Sequence, residues 1–257
     1  MRPRPSSALP LRPSRRTSIS VSSNLPEEAP GLVCFDLDGT LVDPLLGVSH
    51  CLARTCEAFG LEMPPPSTVR TWIGYGMRES LATLPGLEDP QRLEAALDFY
   101  WERYREDGVF EHELYPGVFH LLHRLKRQGH RIYIVSAKPS LFARRISYQF
   151  DLNLIFDDIF GSSLKGRWQP KTEVLSRLAA QGTIWPGGVF IGDRGLDMEG
   201  ARAHGLAAVG VTWGYGSRQE LEQAGAELIL DTVPELDAWL RQRFPQPERY
   251  DAFSRSE

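Results

Sequence analysis

The chain lacks a long apolar run. No stretch approaches the roughly 18 apolar residues that a membrane-crossing helix requires, so no helical span is expected. It also lacks a basic excess: 29 Lys and Arg against 33 Asp and Glu leave a net charge of −4, which gives no electrostatic footprint for nucleic acid. Cysteine is scarce, with three residues at Cys34, Cys51 and Cys56. Their spacing suits no metal site, and an odd count points to a reducing compartment, with the cytoplasm as the expected location. Cys51 and Cys56 are expected to be half-buried helix residues. Acids are missing from the first 26 residues, which are rich in Pro, Ser and Arg. Such a segment buries too little to offset the entropy of ordering, so residues 1–30 are read as a disordered tail and 246–257 as a flexible one. The Arg15-Arg16 pair is followed by no continuous apolar segment, which argues against export. An organelle transit peptide has a comparable composition.

The chain as a whole is 42% hydrophobic, enough for a full core. Leu45 to Phe59, Ser67 to Ile73, Met77 to Leu84 and Pro90 to Asp107 carry helical spacing with no strand pattern between them. This block, 47–111, has the form of an inserted all-helical cap domain. From Pro116 onward helices alternate with strands: Arg131 to Ser136, Asp158 to Gly161, Val189 to Gly192, Ala207 to Thr212 and Leu228 to Leu230. The alternation predicts an α/β fold, a doubly wound parallel sheet built from 31–46 and 112–245. Ligands of such sheets gather at the carboxyl ends of the strands.

The first polar residues beyond the apolar runs are the candidates. Leu32 to Phe35 ends in FDLDGTLVD, with Asp36 and Asp38 two residues apart, so an extended chain points both to one side. Two crowded carboxylates repel unless a cation lies between them or one is protonated. Turn chemistry explains one acid and one glycine, but not a second acid, the following Thr40 and a further acid at Asp43. Ser136, with Lys138 after it, ends a second strand, and VFIGDRGLDMEGA places Asp193 at a strand end and Asp197 four residues later. Hydroxyl-ended strands are common, so Ser136 by itself says little. Between these motifs, GSSLKGRWQPKTEVL offers Lys171, at a helix start, and Lys165 as its rival. His112, His120, His123 and His130 show no zinc-type pairing and are expected at the surface or on helices.

Taken in order, these motifs resemble those of the haloacid dehalogenase-like (HAD) superfamily, in the branch of phosphoglycolate phosphatases and 5′-nucleotidases, with further likeness in ELYPG, KPSLFA and GVTWGYGS. The resemblance implies a Rossmann-like core and a Mg2+-dependent phosphomonoester hydrolase acting on a small metabolite, such as a 5′-nucleotide or 2-phosphoglycolate. It implies Asp36 as nucleophile forming an aspartyl-phosphate, Asp38 as acid and base, and Ser136 and Lys171 holding the transferring oxygens. Mg2+ is assigned to Asp36, the backbone carbonyl of Asp38, Asp193 and Asp197. Thr40 and Lys138 are assigned to substrate phosphate, and Arg78 and Tyr75 to the leaving group. Trp72, Trp101 and Tyr104 read as cap core. Relatives often carry Asp where this chain has Lys165. A sugar phosphomutase of the same fold and a catalytically weak phosphate-binding regulator are the alternatives. A monomer or homodimer is expected, without nucleic-acid or membrane partners.

Overall fold

The structure is a computed structural model and describes residues 30–163 and 171–245. Strand β1 (Leu32–Phe35) leads through β2 (Val42–Asp43) into four helices, α1 (Leu45–Phe59), α2 (Pro66–Trp72), α3 (Met77–Leu81) and α4 (Pro90–Glu106). A second short strand, β3 (Glu113–Leu114), pairs antiparallel with β2, so a two-stranded ribbon flanks the helical block. A two-residue strand is too short to show alternation, which is why the sequence did not display it.

The chain then alternates: α5 (Val118–Arg127), β4 (Arg131–Pro139), α6 (Ser140–Gln149), β5 (Asp158–Ser162), α7 (Lys171–Ala180), β6 (Val189–Gly192), α8 (Gly195–Ala203), β7 (Ala207–Val211), α9 (Arg218–Gln223), β8 (Leu228–Leu230) and α10 (Val233–Arg243). The six longer strands form one parallel sheet in the order β5-β4-β1-β6-β7-β8. This is the expected Rossmann-like α/β architecture, with β1 and β6 side by side at its centre.

Strand alternation divides the core into two layers. Val33 and Phe35 of β1, Val189 and Ile191 of β6, and Val209 and Val211 of β7 face one cluster. Leu32, Cys34, Phe190 and Ala208 face the other, against α7 and α8. The first cluster continues without interruption into the helical block through Leu52, Leu81, Tyr100 and Tyr104. The block therefore shares its hydrophobic core with one face of the sheet.

Several expectations need correction. Helix α2 begins at Pro66, where proline's fixed φ and missing N–H suit a first helical position, and α3 stops at Leu81 rather than Leu84. Strand β4 extends beyond Ser136 to Pro139, but its pairing with β5 is lost after Val135 and resumes at Pro139. Ser136 thus lies in an irregular stretch rather than at a strand end. Cys51 and Cys56 are fully buried, because α1 packs closely on α4 and the turn at Gly108. Burial pushes the thiol of Cys51 up to about 12 and raises that of Cys56. His112 and His130 are also buried, and one nitrogen of each ring has a partner: the Tyr104 hydroxyl meets His112 Nε2 at 2.9 Å, and the Gly31 amide donates to His130 Nδ1 at 3.1 Å. Burial drives His112 down to about 2, so its ring is neutral.

Candidate active site

The parallel pairing of β1 with β6 sets Phe35 beside Ile191, and the Asp36 amide continues the ladder by donating to the Ile191 carbonyl at 2.9 Å. Asp36 and Asp193 therefore leave adjacent strands at the same height. Asp197 reaches them from the first turn of α8, and its Oδ2 accepts the Arg194 amide at 3.0 Å. Asp36, Asp193 and Asp197 are all buried, and each offers an oxygen within 4.8 Å of the others.

Close packing depends on missing side chains. A Cβ on Gly39, whose φ is +83°, would stand 2.2 Å from Asp193 Oδ2, and one on Gly192 would stand 2.3 Å from Asp197 Oδ2. Only glycine permits both the left-handed turn and this approach.

Lys171, the first residue of α7, is 2% exposed and pairs with Asp36 Oδ2 at 2.6 Å and with Asp197. Burial alone would lower its pKa, but the Asp197 and Asp36 carboxylates outweigh it and hold the ammonium above its usual range. Asp193 is satisfied differently. Its Oδ1 accepts the Thr40 hydroxyl at 3.1 Å and its Oδ2 the Tyr215 amide at 2.8 Å. Thr40 is therefore bonded to an acid and does not line the cavity, whereas the sequence assigned it to substrate.

Among the described residues, one ammonium faces three buried carboxylates, which leaves an excess of negative charge. Burial first, and then the Asp36 and Asp197 charges, push Asp193 up to about 8. Burial with the Asp36 charge lifts Asp197 to about 6, although Lys171 acts against the rise. Asp36 Oδ1 is buried and has no hydrogen-bond partner among the described residues. Converging hard oxygen ligands, a deficit of positive charge and an unpartnered carboxylate oxygen fit a divalent cation such as Mg2+.

Asp38 lies beside this cluster but belongs to a different contact. Its Oδ2 accepts Lys138 Nζ at 2.5 Å, Lys138 stands 4.9 Å from the Tyr104 ring centre, and Asp38 Oδ1 has no partner. The Ser136 hydroxyl accepts the Lys138 amide at 3.2 Å.

Asp36, Asp38, Ser136 and Lys138 floor a cavity of about 510 Å³ whose opposite wall comes from the helical block. Trp72, Tyr75, Arg78 and Trp101 are in that wall, with Tyr100 and Tyr104 behind. Trp72 and Tyr104 are thus both core and cavity lining. Arg78 is exposed and its Nε donates to Glu94 at 2.7 Å. Lys165, the sequence's rival to Lys171, lies outside the described residues.

Two residues close to the acids were given no role from sequence, Arg194 and Tyr215. Both sit inside motifs the sequence displayed, GDRGLD and GVTWGYGS. Nothing in a one-dimensional pattern shows that the Tyr215 amide meets Asp193 across 22 positions.

Comparison with known proteins agrees with this geometry. The chain is 33% identical to a 5′-nucleotidase of Pseudomonas aeruginosa over 74% of this chain and 86% of that one. It is also 33% identical to the tyrosine-protein kinase PtkA of Mycobacterium tuberculosis, over 82% of this chain and 72% of that one. A crystal structure of a predicted phosphatase from Clostridium acetobutylicum superposes with a TM-score of 0.75 at 31% identity, covering 83% of this chain and all of that one. The family profile of haloacid dehalogenase-like hydrolases matches residues 33–211, which contain the whole cluster of acids. The chain belongs to the haloacid dehalogenase-like hydrolase family, and it is an enzyme of phosphatase type.

Proposed function

We propose that the protein is a Mg2+-dependent phosphomonoester hydrolase of small metabolites, a 5′-nucleotide or 2-phosphoglycolate among them, acting through an aspartyl-phosphate on Asp36. The observation that carries the reading is the state of Asp36: buried, held by Lys171 on one oxygen, and with its other oxygen uncommitted at the floor of the cavity. A carboxylate oxygen of Asp36 attacks phosphorus, the ester bond breaks, and the departing oxygen takes a proton from Asp38. A water then attacks the acyl phosphate, Asp38 recovers a proton from it, and Asp36 is regenerated. Lys171 offsets the repulsion between the attacking carboxylate and the phosphate dianion.

Mg2+ would be held by Asp36, Asp193, Asp197 and the Asp38 backbone carbonyl, and would supply positive charge to the phosphoryl oxygens. Ser136 and Lys138 stand where they can receive those oxygens. Lys138 must release Asp38 to do so, which frees the acid for proton transfer. We assign 47–111 the part of a cap that excludes water and reads the leaving group, with Arg78 as the residue that meets it.

The test is phosphate release from nucleoside 5′-monophosphates, 2-phosphoglycolate and hexose phosphates, with and without Mg2+. Mg2+-dependent release favouring one class supports the reading. Isomerised sugar phosphate without release would indicate a mutase. Transfer from ATP to protein tyrosine, in place of release, would indicate the activity named for the mycobacterial relative.

A further inference from the structure

Two aromatic contacts cross the seam between the helical block and the sheet, and they run in opposite senses. Arg194, on the sheet side, places its guanidinium carbon 4.5 Å from the ring centre of Tyr75, which lies between α2 and α3. Arg70, on α2, places its own 4.8 Å from the ring centre of Tyr215, on the sheet side. Each side thus contributes one arginine and one tyrosine.

Both sheet-side residues are fastened to the acid cluster. Arg194 follows Asp193 directly, its amide donates to Asp197, and its Nε lies 3.1 Å from Glu220 on α9. It is 5% exposed and passes under Gly74, where a Cβ would come within 2.8 Å of its Cγ. Tyr215 donates its amide to Asp193 and its hydroxyl to Asp43 Oδ1, and that same carboxylate oxygen accepts the Leu45 amide that opens α1. Tyr215 therefore touches a candidate metal-binding acid, the helical block and the strand from which the block springs.

We propose that Arg194 and Tyr215 are positioning residues, which form with Tyr75 and Arg70 a reciprocal pair of cation–π clasps that seat α2 and α3 on the sheet. Because the sheet-side members hang on Asp193 and Asp197, the seating of the block and the arrangement of the acids support each other. A guanidinium over a ring is favourable even where one partner is partly exposed, and two such contacts fix both the distance and the angle of the block. This gives Tyr75 a different task from the leaving-group contact assigned to it from sequence. Its kinetic consequence rests on the phosphatase reading; the seating itself does not.

The experiment uses the full chain and four single variants, Arg70→Gln, Arg70→Lys, Tyr75→Leu and Tyr75→Phe, with the double variant Arg70→Gln/Tyr75→Leu. Arg70 and Tyr75 are exposed enough that folding should survive, which thermal melting checks. Amide hydrogen exchange is followed through 66–81, and kcat/KM is measured with a generic aryl phosphate. Arg70→Gln and Tyr75→Leu are each expected to speed exchange across 66–81 and to lower kcat/KM about three- to tenfold, while Arg70→Lys and Tyr75→Phe keep exchange close to wild type. The double variant should lose more than the product of the singles, because one clasp backs up the other. Unchanged exchange in Arg70→Gln and Tyr75→Leu overturns the proposal, as does a Tyr75→Phe variant as impaired as Tyr75→Leu, since the hydroxyl is then the working group. Should the wild type release no phosphate at all, the phosphatase reading fails, and exchange alone decides whether the clasps exist.

Discussion

The acids under the cavity and the wall above them are held by different forces. Asp36, Asp193, Asp197 and Lys171 are 2% exposed or less, and nearly every polar atom among them has a fixed partner. In the wall, Tyr75 and Arg78 are exposed, and the one ion pair there among the described residues, Arg78 with Glu94, stands in solvent at 2.6 Å. Exposed pairs contribute little because water screens them, whereas a buried charge without its partner is expensive. Chemistry common to many substrates requires the first kind of construction, and discrimination among leaving groups is better served by the second.

The comparison breaks most completely at Asp36. Asp36→Asn should remove turnover while leaving melting nearly unchanged, and residual phosphate release above about a thousandth of wild type would argue against Asp36 as nucleophile. Lys171→Met comes next. It strands buried carboxylates without their cation, so a loss of about 3–5 kcal/mol in unfolding free energy is expected in the absence of metal, together with lost activity. Denaturant titration with and without Mg2+ reads both, since a divalent ion should recover part of the stability.

Acidity offers a sharper test. Asp193 and Asp197 are protonated more readily in the folded chain than in the unfolded one, their values lying near 8 and 6. Between the ordinary carboxylate range and those values the folded state binds more protons, so the cluster's contribution to stability declines as pH rises from about 4 through 8. Melting without metal should follow that slope, and saturating Mg2+ should flatten it. A slope unaffected by Mg2+ would mean the ion binds elsewhere.

The smallest effect is expected in the wall. Arg78→Ala should leave melting unchanged and alter KM a few-fold for some leaving groups and not others, with kcat nearly constant. An equal change for every substrate would move Arg78 from recognition to general support.

Most of the sheet could be read from its strands, because a buried parallel strand is a short apolar run that stops at a polar loop, as Val189 to Gly192 does before Asp193. The helical block was readable for the complementary reason: no such run interrupts 45–107. The β2–β3 ribbon was not, being two residues long on each side. The burial of His112 escaped as well, since its tolerance of burial rests on the Tyr104 hydroxyl, which belongs to α4. Thr40 was placed on the right loop but assigned the wrong neighbour, because a hydroxyl's partner depends on which strand lies alongside it.

Sequence alone determined the order of motifs and the parallel α/β plan, and it singled out the acids that the structure brings together, because period, turn chemistry and spacing along one chain are local properties. Only the tertiary structure decided that Lys171 lies between Asp36 and Asp197, that Lys138 occupies Asp38, and that Tyr215 and Arg194 join the acids to the helical block. The contacts of Lys171, Lys138 and Tyr215 close distances of 22 to 172 residues, and which partner completes each one is set by the packing of strands and helices on a shared core.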